Sequence, residues 1–161
     1  MNNKLVISGI GIILVLIEYL FSPFLNINSM IPDLVLVFLF LISVKSETGF
    51  TFMLAFLLGI LQDLFNSDLI GISAAANLLA LYFVSWISIK ELTMTAFVWG
   101  LLLMGVVKYT VYYQIIFLQS EYSFLAIVFK FTIAHSIYTL IVGLFIFSLS
   151  RNLFKRYFNH V

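Results

Sequence analysis

The sequence predicts an all-α integral membrane protein, a six-transmembrane-helix bundle with its N-terminus and C-terminus in the cytoplasm. Hydrophobic residues fill 63% of the 161 positions and charged ones 9%, against roughly 25% charged in an ordinary soluble domain, so a water-soluble globule is excluded. Six apolar runs follow one another, near residues 5–21, 30–44, 50–64, 70–89, 94–118 and 124–149. They approach the length a helix needs to cross about 30 Å of hydrocarbon, and they lack the alternation of barrel strands. With the N-terminus inside, Lys4, Lys45, Lys90, Arg151, Lys155 and Arg156 all fall on the cytoplasmic side. The outer connections 22–29, 65–69 and 119–123 then hold no Lys or Arg, which is the asymmetry that orients membrane proteins.

The first run carries Ser8, Gly9 and Gly11 near its inner end and Glu18 near its outer end, and Pro23 is expected to stop it. No small-residue cleavage site follows, so it reads as a retained helix rather than a signal peptide. The second run should start near Met30, which puts Pro32 in its first turn and Asp33 beside the positive end of the helix dipole. From Asp33 to Lys45 there is only about 17 Å of helix, too little to span. Lys45-Ser-Glu47-Thr-Gly49 is a tight cytoplasmic turn, making the second and third runs antiparallel neighbours. The fourth run places Ser73, Ala76, Asn77 and Ala80 on one face, a small-residue stripe for close packing, with Asn77 facing protein. The fifth has Gly100, Gly105, Lys108, Tyr109, Tyr112 and Tyr113, and the sixth Lys130, His135 and Tyr138. Trp86 and Trp99 fit an inner membrane interface, and the basic, aromatic tail 151–158 fits anchoring to anionic lipid headgroups. No Pro, Gly or Ser run marks a boundary, so residues 1–161 form a single polytopic membrane domain.

Several function classes are excluded. A net charge of +1 with scattered cations offers no basic patch for nucleic acid. The absence of cysteine removes thiolate metal sites and thiol nucleophiles. His135 has no second His or Cys near it, which makes a metal site improbable on ligand count. No nucleophile elbow, zinc-protease helix or phosphate loop occurs, and no cofactor site is visible. The chain is not expected to be an enzyme.

Charged groups inside a membrane face protein, water or one another. Glu18, Asp63, Lys108 and Lys130 all fall in the outer half of their runs, and the preferred reading is a structural ion-pair cluster of two carboxylates and two ammoniums. Glu18 alone also fits an interfacial carboxylate. The sharper alternative is a ligand or ion pathway lined by Lys108, Lys130, Asp63 and the tyrosines, with His135 as a proton relay.

The densest polar patch is Gly59-Ile-Leu-Gln-Asp63-Leu-Phe-Asn-Ser67-Asp68-Leu-Ile-Gly71. Gly59 and Asp63 share a helix face, the glycine allowing close approach beside the carboxylate. This Gly-x-x-x-Asp followed by Gly71, together with Pro32-Asp33-Leu34, Gly49-Phe50 and the stretch from Leu78 to Tyr82, resembles the rod shape-determining protein MreD family. The motif covers about residues 32–82, and the run count extends the likeness along the chain. The resemblance implies a bacterial inner-membrane component of the cell-elongation machinery. Such a protein works with MreC, and through it with MreB filaments, the glycosyltransferase RodA and a penicillin-binding protein in peptidoglycan synthesis. Pro32, Asp33, Gly59, Asp63, Asp68 and Gly71 are then the partner-facing or site-shaping candidates, although Gly59 and Gly71 also fit internal packing. The alternative is a small-molecule-binding protein similar to the substrate-binding subunit of an energy-coupling-factor transporter. The small-residue docking stripe of those subunits is missing, since Ile12, Ile13 and Val15 stand at i+4 from Ser8, Gly9 and Gly11.

Overall fold

The computed structural model describes residues 2–27, 30–66, 69–87, 89, 91–118 and 122–158, with side chains for those among 4–65, 69–118 and 122–149. Helices α1 (Asn2–Leu25), α2 (Leu34–Ser43), α3 (Thr48–Asn66), α4 (Ile72–Trp86) and α5 (Met94–Ile116) precede a long α6. This last helix starts as Phe124–Ile127, widens through a π-helical turn at Val128–Thr132 and continues as Ile133–Phe158. Among the described residues there is no β-strand, only an isolated bridge between Ile27 and Met30.

The apolar stretches Lys4–Leu25, Thr48–Phe65, Met94–Ile116 and Phe124–Leu149 are long enough to cross a membrane, whereas α2 and α4 are shorter apolar helices. The chain is a membrane protein. Two helix ends differ from the sequence expectation. Pro23 lies inside α1, which runs on to Leu25. A proline so near the end removes only the hydrogen bond to the Tyr19 carbonyl, and the Leu25 carbonyl, orphaned because it ends the helix, accepts from the Tyr138 hydroxyl at 2.8 Å. Pro32 is not in the first turn of α2 but precedes its cap. Asp33 is the cap itself, its backbone extended and its side chain accepting from Leu36 N at 2.7 Å. An aspartate in this place satisfies a helix N–H that would otherwise be orphaned, and so the helix begins at Leu34 rather than near Met30.

Helix α2 is ten residues of almost unbroken Leu, Val, Ile and Phe, which is the pattern of a helix surrounded by protein. Val35, Leu36, Leu39 and Phe40 are fully buried, and α2 touches every other helix. Close approach is permitted on α5 by Gly100, where a Cβ would lie 2.3 Å from the Phe40 ring. Phe97 meets Phe40 edge-on and stacks on Phe147 of α6 with ring centroids 4.5 Å apart.

Helix α1 is the opposite case, exposing Leu5, Val6, Ile13, Leu20 and Phe24 as a lipid-facing helix does. At its start Lys4 pairs with Glu47 at 2.5 Å, which sets the beginnings of α1 and α3 at one end of the bundle. The hydrogen bond from Lys4, and then its charge, hold the Glu47 carboxyl below the usual range. Its contribution is therefore present above the ordinary carboxylate pKa and fades as pH falls through the lowered one. Both groups are exposed, and such pairs contribute little.

Candidate functional site

At the opposite end of the bundle the polar residues of five helices converge. Asp33, capping α2, is 4% exposed. One carboxylate oxygen accepts from Leu36 N and from Gln62 Nε2 at 3.2 Å, and the other takes a hydrogen bond from Lys108 of α5 in a buried ion pair. Lys108 also donates to Gln62 Oε1 at 3.3 Å. Because an ammonium only donates, this contact fixes the orientation of the Gln62 amide. Its oxygen faces Lys108 and Asn77 Nδ2, and its nitrogen faces Asp33 and Glu18 Oε1, the last at 3.2 Å. The second Glu18 oxygen accepts from the free N–H groups of Leu34 and Val35 at 3.2 and 3.4 Å. Two carboxylates thus sit at the N-terminus of α2, where the helix dipole favours negative charge.

A second layer comes from α6. The Asp33 backbone N–H donates to Thr139 Oγ1, whose hydroxyl meets Tyr109 OH at 2.7 Å. His135 stacks on Tyr109 with centroids 3.8 Å apart. Its Nε2 lies 2.6 Å from the Ile31 carbonyl and its Nδ1 2.8 Å from Tyr113 OH. A carbonyl can only accept, so Nε2 carries the proton and a neutral ring accepts at Nδ1 from the tyrosine. These groups line a cavity of about 490 Å³. Glu18, Asp33, Gln62, Lys108 and His135 line it beside Tyr109, Tyr112 and Tyr113, and Tyr19 and Ile116 are its exposed rim.

The Gly59–Gly71 motif is a clasp between α3 and α4. A Cβ on Gly59 would stand 2.4 Å from Ala74 Cα and 2.6 Å from Ala74 N, so only glycine lets the first turn of α4 lie against α3. One turn on, Asp63 is 1% exposed and accepts from Gly71 N at 2.7 Å and Ser73 N at 3.0 Å. It caps α4 from another helix, because the residue at the cap position, Gly71, has no side chain and a φ of +103°. That left-handed conformation is one that glycine adopts without the Cβ penalty.

The predicted site residues therefore separate into three places. Glu18, Asp33 and Lys108 meet in the cavity, and Pro32 leads into it. Gly59, Asp63 and Gly71 are engaged inside the fold. Asp68 lies outside the described residues. The four-membered cluster of Glu18, Asp63, Lys108 and Lys130 does not form as expected. Neighbouring residues on a helix point about 100° apart, so with Gln62 turned to the cavity Asp63 turns to α4. Asp33, not Asp63, is the partner of Lys108. Lys130 stands five residues before His135 and does not share its face. It is exposed and lies 5.5 Å from the ring centroids of Tyr122 and Phe131. Gln62, at the centre of the network, escaped sequence reasoning. The signal was an amide in an apolar helix, the same one that placed Asn77 against protein.

A model of the rod shape-determining protein MreD family matches residues 2–156. The chain belongs to the MreD family. Searches of curated proteins and of solved structures return no match. Membership in the MreD family implies a role in rod-shape determination, and several long apolar helices agree with its being a membrane protein family. The clasp lies within the stretch that carried the sequence likeness to MreD proteins, and its residues act there through packing and hydrogen bonding.

Proposed function

We propose that this chain is a non-enzymatic, multi-pass scaffold of the bacterial inner membrane that binds an MreC-like protein and through it serves MreB, RodA and a penicillin-binding protein in peptidoglycan synthesis. The match to the MreD family over residues 2–156 carries this reading. Short connections support it, because they leave helix faces and loops, rather than a soluble domain, for recognition. In this reading the chain crosses the membrane six times with both ends cytoplasmic, as the distribution of Lys and Arg supports.

Helices α2 and α4 are too short alone, so their crossings include the non-helical backbone before them. Such backbone is tolerated at membrane depth where protein or a cavity satisfies it. Ile27 and Met30 exchange two hydrogen bonds at 3.0 and 2.9 Å, and the Ile31 carbonyl accepts from His135. Gly59, Asp63 and Gly71 have a site-shaping role in this proposal, as does Pro32, which precedes Asp33 in the wall of the cavity. The energy-coupling-factor alternative gains no support from the comparisons.

Affinity purification of the full chain in mild detergent, followed by mass spectrometry, tests the proposal. An MreC-like protein is expected to co-purify, and its repeated absence from preparations of folded protein would sink the scaffold reading. Gly59→Leu is expected to lower accumulation of the protein itself, since the added side chain meets α4 backbone.

A further inference from the structure

Among the described residues, the formal charges lining the cavity do not balance. Glu18 and Asp33 are two carboxylates, Lys108 is the one ammonium among the lining residues, and it is bonded to Asp33. His135 donates from Nε2 to the Ile31 carbonyl. Among the described residues every partner of the Glu18 oxygens is a donor, namely Leu34 N, Val35 N and the Gln62 amide. None accepts a carboxyl proton, so these contacts favour the ionised form, in which Glu18 is a negative charge with no ion-pair partner among the described residues. An uncompensated charge in a membrane bundle is costly, and a cation entering the cavity relieves it.

The space and the walls narrow the class of cation. About 490 Å³ is far more than a bare ion needs and is in the range of small-molecule pockets. Tyr19, Phe65, Tyr112 and Tyr113 contribute aromatic surface to the lining, and the faces of such rings attract ammonium groups. We propose that the cavity is a binding site for an organic ammonium, its charge against Glu18 and its carbon skeleton among these rings. Such a group reaches the exposed rim at Tyr19 and Ile116 either as an aminated lipid headgroup or as a free small amine. The site is independent of any MreC-like partner.

The test uses the full chain purified in detergent and n-butylammonium chloride as the probe, titrated by calorimetry at constant ionic strength against sodium chloride. Saturable binding is expected, at least about tenfold tighter than sodium and weakened about tenfold or more by Glu18→Gln. If Glu18→Gln fails to fold, the comparison with sodium and the rim variant Tyr19→Leu, expected to weaken binding several-fold, decide the matter. No saturable binding to the unaltered chain, the outcome if a proton alone neutralises Glu18, overturns the proposal. Equal binding of sodium, or an unchanged affinity in a folded Glu18→Gln chain, does so too. Repeating the titration in nanodiscs separates the two sources. Phosphatidylethanolamine should compete with the probe where phosphatidylglycerol does not if the headgroup is the occupant, and the two lipids should act alike if a free amine is.

Discussion

At the scale of single residues, the ion pair between Lys108 and Asp33 is the contact with most at stake, because both side chains are almost completely enclosed. Lys108→Met leaves a buried carboxylate without its partner, a loss expected to cost about 3–5 kcal/mol. Adding Asp33→Asn to it should recover part of that loss, since the amide can still accept from Leu36 N. Thermal unfolding in detergent of both single variants and the double measures this, and strict additivity would remove the pair as a stabilising unit. Lys130→Met, by contrast, is expected to shift stability by less than about 1 kcal/mol, as exposed cation–π contacts do. The sequence made Glu18 and Lys108 legible because an intramembrane charge is anomalous wherever it stands. It did not reveal the partner of Lys108, which is 75 positions away, since nothing local encodes which of several carboxylates a folded bundle will deliver. Asp63 was recognised as important for its place beside Gly59, and its work as a remote cap depends on the one-residue step that separates it from Gln62.

Among the elements, the α3–α4 clasp makes a graded series. Asp63→Ala orphans the N–H groups of Gly71 and Ser73 and should cost about 1–3 kcal/mol. Asp63→Asn keeps one acceptor oxygen and should cost less. Gly71→Ala strains a left-handed residue by about 1–2 kcal/mol, while Gly59→Ala forces the two backbones apart and should be the most damaging of the four. Hydrogen exchange at the start of α4 follows the series directly, and equal protection in all four variants would contradict the capping role. The existence of the helices was readable from apolar runs, but their ends were less so. Pro23 is carried within α1 because the bond it removes is near a helix end already short of partners. The start of α2 moved to Leu34 because the Asp33 carboxylate serves as a cap. The π-helical turn in α6 left no trace, since Val-Phe-Lys-Phe-Thr at Val128–Thr132 contains no helix breaker.

For the molecule as a whole, topology is the property on which every surface assignment depends. Reporter fusions after Lys90 and after Val161 are expected to report cytoplasm and fusions near Asp68 or Glu121 the opposite side; a C-terminus on the outer side would overturn the six-crossing arrangement. The enclosure of α2 bears on how the chain can change over evolutionary time. A helix facing lipid sees a fluid that accepts any apolar shape, so Leu20→Ile on α1 should be close to neutral. Helix α2 is at least as greasy in composition, yet each of its side chains meets fixed neighbours, and a truncation such as Leu36→Ala should cost about 2–5 kcal/mol. A saturation library scored for folded protein in the membrane should therefore find α1 permissive toward all aliphatic replacements and α2 tolerant only of volume-conserving ones. Two apolar segments would then drift at very different rates, and the slower of them would mark the centre of the bundle.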